Sequence, residues 1–261
     1  MTTSTSPADI DSFNPLKCGY VAVKGDQFQA VVREWAASAV GDALAAGTLH
    51  EWAALQDSKE EMRGRGVIYS VVLPATPATT VVVRRNRHGG LLGRVTGEYF
   101  LPPTRAPLEL ATALRLAAAG IATPEVIAYA VYPSAGFFAR SDVMTRRLPA
   151  GADLPAVWQD TAKVDREALL SVVARLLRAL ATAGAWHADL NLKNIYIAGS
   201  GSGLNAYLLD VDRVTFPAGG DVETRNLQRL IRSARKWRVR WGLDFDEESL
   251  EQLARLVQEN R

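Results

Sequence analysis

The 261 residues are 48% apolar and 22% charged, near globular averages, which excludes collagen-like, coiled-coil and wholly disordered chains and leaves room for one large domain or two modest ones. Lys and Arg (30) nearly balance Asp and Glu (28), so the formal charge of +2 gives no argument for a nucleic-acid partner. The lone cysteine, Cys18, excludes an intrachain disulfide and points to a reducing, cytoplasmic setting; the opening MTTSTSPADIDSFN has neither the basic region nor the apolar run of a secretory signal, so no export is expected.

Residues 1–15 are rich in Ser, Thr, Asp and Pro and read as a loose tail. Phe28, Val31, Val32 and Trp35 fall at helical spacing, which predicts a first helix running towards Gly47. Residues 67–73, 79–83, 126–131 and 137–145 are β-branched or aromatic runs bounded by Gly or Pro and predict strands. Between them Leu110, Ala113, Leu114 and Ala117 recur at i, i+3, i+4 and i+7, with Gly120 as a C-terminal cap.

The second half changes character. Asp165 stands where it can cap a helix whose Leu169, Val172, Val173, Leu176 and Leu180 form one stripe, closed by Gly184. The apolar stretch 168–185 contains Arg175 and Arg178 and reads as a core helix rather than a membrane span. Residues 195–197 and 206–209 flank a Gly/Ser turn and predict a hairpin; beyond Asp221 the helical pattern returns through Leu227, Leu230, Ile231, Ala234 and Trp237, then Leu250, Leu253, Leu256 and Val257. Strands first and helices afterwards predict an α+β, two-lobed molecule: an N-terminal lobe over 1–145, a C-terminal lobe over 146–261, and a linker near 145–150.

The sharpest motif is HADLNLKN at 187–194, just past that helix. An Asp followed five residues later by an Asn is the spacing of kinase catalytic loops, where the Asp takes or orients the acceptor hydroxyl proton and the Asn holds Mg²⁺. Asp189 is thus the candidate base and Asn194 a candidate metal ligand. Sixteen residues on, YLLDVD places Asp210 directly after a buried strand, where a kinase holds its second metal contact. Either motif alone is weak, because Asp after a strand is commonly a turn former; together and in order they favour a kinase-type site.

The first half supplies further parts. Gly64 and Gly66 open a run resembling the phosphate-covering loop GxGxxGxV, with Tyr69 in place of the third glycine; a lone GxG is equally an ordinary turn before a strand. Arg84 ends a strand where kinases put a phosphate-binding Lys, and Glu109 lies on the inward edge of the next helix. A buried carboxylate needs a cation, and Arg84 is the nearest candidate; the other reading is two separate solvated charges.

The series GRG, VVVRRNRHGGLLG, TRAPLEL, FFARSDVMTRRLPA, HADLNLKN, LLDVDR and NLQRLIRS, over about residues 60–235, resembles the lipopolysaccharide-core kinases, specifically the 3-deoxy-D-manno-octulosonic acid (Kdo) kinases. The Arg-led basic run to Gly89-Gly90 and Asp212 after Val211 are its most family-specific pieces. The resemblance implies a protein-kinase-like fold, ATP with Mg²⁺ as donor, and the Kdo sugar of lipid A–Kdo as acceptor, at the inner face of the cytoplasmic membrane of a Gram-negative bacterium.

Ala188 stands where protein kinases carry an Arg that reads a phosphorylated activation loop, so a constitutively active enzyme is expected. Lys193 either neutralises γ-phosphate charge or is a solvated loop lysine, and His187 braces the loop. Arg146, Arg147 and Leu148 fall at the lobe junction, where backbone groups should meet the adenine edge. The basic helix from Arg225 to Arg240, with Trp237 and Trp241, reads either as a docking face for an anionic membrane surface or as a solvated face over a packed stripe. Arg84, Arg85, Arg87, His88 and Arg94 pose the same choice between acidic ligand and water. Two competing readings are an aminoglycoside- or choline-type kinase, which shares the catalytic loop but not the Arg-Gly-Gly region, and an inactive kinase-like adaptor, against which Asp189, Asn194 and Asp210 argue. The oligomeric state is not legible in the sequence.

Overall fold

The computed structural model describes residues 14–63, 66–86, 104–134, 138–162 and 165–259. These form two compact units, one holding the chain up to Leu114 together with Pro124–Arg147, the other Arg115–Thr123 and the chain from Leu148 onward.

The first unit begins with β1 (Tyr20–Gly25) and β2 (Phe28–Arg33), an antiparallel hairpin closed at Gly25↔Phe28. The helix expected from Phe28 is therefore a strand at its start. Phe28, Val31 and Val32 satisfy a helical spacing, but aromatic and β-branched side chains also suit a pleated surface, and β2 gains a hydrogen-bonded partner on each side. Helix α1 begins only at Ala37–Ala45, after a 3-10 turn over Glu34–Ala36.

Next comes α2 (Leu49–Ala54), opened by a capping box: Glu51 N–H donates to Thr48 Oγ1 (3.2 Å) and Thr48 N–H to Glu51 Oε2 (3.1 Å). The strands β3 (Glu60–Arg63), β4 (Val67–Leu73) and β5 (Thr79–Arg85), the helix α3 (Arg105–Ala118), and β6 (Val126–Pro133) and β7 (Ala139–Arg146) complete the set. The sheet runs β1-β2-β6-β7-β5-β4-β3, antiparallel throughout.

Val32, Val40, Leu49, Leu73, Val81, Val83, Ile127 and Met144 are fully buried in one core. Each such side chain stabilises the fold by about 1.5–3 kcal/mol. On α3 the buried face differs from the expected stripe in that Ala117 is exposed, Leu114 is half-buried, and Thr112 and Leu116 are buried beside Leu110 and Ala113; Glu109 is buried, as its inward position led one to expect.

The second unit contains β8 (Gly151–Asp153), α4 (Leu154–Asp160), α5 (Arg166–Thr182), β9 (Trp186–His187), β10 (Ile195–Ala198), β11 (Asn205–Leu208), β12 (Val214–Thr215), α6 (Val222–Trp241) and α7 (Glu247–Gln258). Helix α5 is its axis. Beyond the expected stripe, Leu170, Ala174 and Leu177 are also buried, because α6, α7 and β11 pack around it. Asp165 occupies the N-cap position of α5, but with φ −92° and ψ −8° its side chain accepts no capping bond. The C-terminal stop is as expected, with Gly184 left-handed at φ 63°.

The 195–209 hairpin forms in register Ile195↔Leu208, and β8 extends it into a three-stranded sheet. At its turn a Cβ on Gly199 would lie 2.2 Å from the Gly203 carbonyl oxygen, so only glycine fits. Trp158 of α4 stacks on Phe245 (centroids 3.9 Å) and ties the α6–α7 connection to the rest of the unit. Among the described residues no helix is long and apolar enough to cross a membrane.

Candidate active site

The 187–194 loop is held by hydrogen bonds made within the helical unit. The chain leaves α5, pairs His187 with Val214 of β12, and enters the loop with Ala188 N–H donating to the Arg213 carbonyl (2.9 Å). His187 is fully buried and bonded three ways. Its N–H donates to Asn226 Oδ1 (3.1 Å), Nε2 meets the Leu209 carbonyl (3.1 Å), and Nδ1 accepts from Asp189 N–H (3.1 Å). A backbone N–H can only donate, so the ring is the neutral tautomer with its proton on Nε2. Burial holds its pKa below the usual histidine value, which agrees. His187 is a brace, as expected.

Asn226, at the first turns of α6, is equally buried and was not singled out in the sequence. Its Nδ2 donates to the Ala185 carbonyl (2.9 Å) while Oδ1 holds His187 N–H, so it clamps the entrance of the loop from both sides. An Asn amid the apolar repeat of a helix, in NLQRLIRS, is the signal that could have marked it.

Within the loop, Asn194 Nδ2 and Asn191 Nδ2 both donate to the Asp189 carbonyl (2.9 and 3.0 Å), Asn191 Oδ1 caps the 3-10 turn Leu192–Asn194 by accepting from Lys193 N–H (2.9 Å), and Leu192 N–H reaches Ser233 Oγ (3.1 Å) on α6. These bonds fix the course of the loop, and the Asp189 carboxylate stands at the surface with Arg229 Nη2 3.7 Å from Oδ1. Lys193 Nζ lies 3.9 Å from Asp153 Oδ2 and 5.6 Å from the Trp237 ring centre.

The Asn194 carbonyl accepts from Leu209 N–H (2.8 Å), which joins the loop to the residue before Asp210. Asp210 is exposed and left-handed (φ 52°, ψ 46°), the one non-glycine residue with positive φ among those described, and its side chain makes no cap bond. Asp and Asn tolerate this region better than other non-glycine residues, and here the backbone leaves the Asp210 carboxylate at the surface. Asp212 is half-buried, with Arg213 Nε 3.7 Å from Oδ2.

In the sheet unit, Arg84 and Glu109 form an ion pair. The Glu109 carboxylate is buried, and Arg84 Nη1 also donates to Asn86 Oδ1 (2.9 Å). Arg85 turns inward to the fully buried Asp142 (Nε to Oδ1 3.4 Å) and towards Thr48 and Glu51. Gly66 forms the bend before β4. Gly64, Arg87, His88, Gly89, Gly90 and Arg94 lie outside the described residues.

The N–H groups of Arg146 and Arg147, expected to meet an adenine edge, instead donate to the carbonyls of Glu125 (2.8 Å) and Thr80 (3.0 Å). On α6, Arg225 stacks on Trp186 (3.8 Å), Arg229 faces Asp189, and Arg235 and Arg238 both bind Glu247, whose pKa falls to about 2. The helix is not simply a free cationic face.

An antiparallel sheet unit followed by a helical unit, whose polar loop is strung between a core helix and a short hairpin, is the plan of kinase-like proteins. A solved structure described as WaaP in complex with acyl carrier protein shares this fold, with a TM-score of 0.52, 19% identity and 80% of each chain covered. The chain belongs to the Lipopolysaccharide kinase (Kdo/WaaP) family, whose profile matches residues 50–256. It is similar to proteins named 3-deoxy-D-manno-octulosonic acid kinase from Vibrio parahaemolyticus (30% identity, 66% of this chain and 71% of that one), Pasteurella multocida (26%; 73% and 80%) and Haemophilus influenzae (28%; 72% and 79%). Family membership makes it a phosphotransferase.

Proposed function

We propose that the protein transfers the γ-phosphate of ATP to a hydroxyl of the Kdo sugar of lipid A–Kdo, in lipopolysaccharide inner-core synthesis. The observation that carries this reading is the Asp189–Asn194–Asp210 arrangement: a surface carboxylate on a loop braced by side-chain hydrogen bonds, joined through the Asn194 carbonyl to Leu209, the residue before the left-handed Asp210. Relatives named as Kdo kinases supply the acceptor.

In this reading Asp189 orients the acceptor hydroxyl and takes its proton as the oxygen attacks the γ-phosphorus; the O–P bond forms, the β–γ bridging P–O bond breaks, and ADP leaves. The donor set suits Mg²⁺: Asn194 Nδ2 is occupied by the loop, which leaves its amide oxygen for a hard cation, and the Asp210 carboxylate is exposed. When bound there, Mg²⁺ supplies charge neutralisation of the phosphates. Arg84, held by Glu109, is the phosphate-binding cation of this reading, and the sequence assigns Gly64 and Gly66 to the nucleotide. The acceptor is a membrane-held glycolipid, so the enzyme works at the inner face of the inner membrane without spanning it.

An ATP-consumption assay with lipid A–Kdo against free sugars, aminoglycosides and peptides tests the reading. Turnover confined to lipid A–Kdo supports it; preference for an aminoglycoside overturns it.

A further inference from the structure

Beside Asp189, wholly within the helical unit, lies an open depression of about 440 Å³ lined by Asp189, Lys193, Ser233, Lys236, Trp237 and Trp241, among others. Its composition is specific. Two indoles of α6 stand together, with ring centres 4.3 Å apart and planes at 38°, and Trp241 is 53% exposed rather than packed. Two lysines border them, and Lys193 Nζ lies over the Trp237 face. Aromatic faces left half in water, with ammonium groups at their rim and a carboxylate at the end, match a ligand that has flat C–H faces, an anionic group and a hydroxyl to present.

We infer that this depression seats the acceptor. Trp237 and Trp241 lie against its sugar ring, Lys236 and Lys193 hold its oxyanion, and the hydroxyl to be phosphorylated is turned to Asp189. The inference rests on the proposed acidic-sugar acceptor and deepens it by naming the residues that select it. It also assigns Lys193, held 3.9 Å from Asp153 at this rim, to the acceptor rather than to the γ-phosphate. The oxyanion has two sources, the sugar's carboxylate or a phosphate of the glycolipid, and both suit an ammonium.

Steady-state kinetics with detergent-dispersed lipid A–Kdo test the assignment. Trp237→Ala and Lys236→Gln should each raise the acceptor KM roughly tenfold or more with the KM for ATP unmoved, the pattern of lost acceptor binding. Val239→Ala, on the same helix but outside the depression and 82% exposed, should change neither. Thermal melts confirm folding, and Trp237→Phe replaces Trp237→Ala if the latter unfolds. An acceptor with its carboxylate reduced to an alcohol, and one stripped of phosphates, identify the anion: Lys236→Gln should add nothing to the loss seen with the analogue that lacks it. Unchanged acceptor KM in the Trp237 and Lys236 variants, with wild-type turnover intact, overturns this inference alone. Absence of any wild-type transfer to lipid A–Kdo overturns the proposed function and the inference with it.

Discussion

Asn194 donates its side-chain N–H to the main-chain carbonyl of Asp189, five residues back, at 2.9 Å. The bond closes the loop into a ring, so the residue proposed to hold the metal also fixes the backbone of the residue proposed to take the proton. Asn194→Ala removes both functions and Asn194→Asp only the donor. Turnover measured against Mg²⁺ should fall by roughly 10²-fold or more in the first. In the second a residual activity should remain, at raised Mg²⁺ demand. Equal and slight losses would detach Asn194 from the chemistry.

Asp210 combines a charge with a left-handed backbone, and the two are separable. Asn tolerates that conformation while Ala does not, so Asp210→Asn should keep the melting temperature and nearly abolish Mg²⁺-dependent transfer, and Asp210→Ala should also lose stability by about 1 kcal/mol. Asp212→Asn, at a half-buried acid beside Arg213, should cost less activity than Asp210→Asn. Greater damage at Asp212 in a Mg²⁺ titration would show that it is the ligand.

The buried, neutral His187 gives the fold a pH dependence of known sign. Its folded pKa lies below the ordinary 6.5, so in acid the unfolded chain binds a proton that the folded one does not. The stability it contributes is complete above about pH 6.5 and is lost as pH falls towards the folded value, at no more than about 1.4 kcal/mol per pH unit. Urea melts between pH 7.5 and 5.5 should show this slope in the wild type and a shallower one in His187→Gln.

Arg84 and Glu109 should behave as one unit. A double-mutant cycle in kcat/KM should give a coupling of roughly 0.5–3 kcal/mol. Additive losses would make the ion pair incidental to catalysis.

The membrane reading of α6 narrows to the cations it leaves exposed. Arg232→Glu/Arg240→Glu should weaken cosedimentation with anionic vesicles in a salt-sensitive way, each well-placed cation contributing about 1 kcal/mol near the surface. Arg229→Glu is a poorer probe, because Arg229 faces Asp189 and its loss should disturb turnover in solution as well. Unaltered vesicle binding by the Arg232/Arg240 variant would return the helix to a solvated face.

What the sequence made legible follows from where side-chain patterning is strong. The four runs of β-branched residues from 67 to 145, the α5 stripe and the 195–209 hairpin were readable because burial imposes a period. Strand β3 was not, since Glu60–Arg63 is an edge strand with a polar sequence, and β1 and β2 were lost to a helical spacing that a hairpin also satisfied. The capping box at Thr48 and Glu51, and Asp153 before Pro155, are local start signals for α2 and α4 in segments too short to show a clear apolar period. At the site, motif spacing named Asp189, Asn194 and Asp210. The left-handed backbone of Asp210, the Asn226 clamp and the indole-lined depression depend on elements far apart in the chain, which no local pattern reports.

The decisive measurement is transfer of the labelled γ-phosphate of ATP to lipid A–Kdo, with the phosphorylated sugar identified by mass spectrometry, for wild type and Asp189→Ala side by side. The wild type should place the label on the Kdo residue and Asp189→Ala should lose roughly 10²–10⁴-fold in transfer while still binding nucleotide. Label elsewhere on the glycolipid, or near wild-type transfer by Asp189→Ala, would rule out Asp189 as the base of a Kdo kinase.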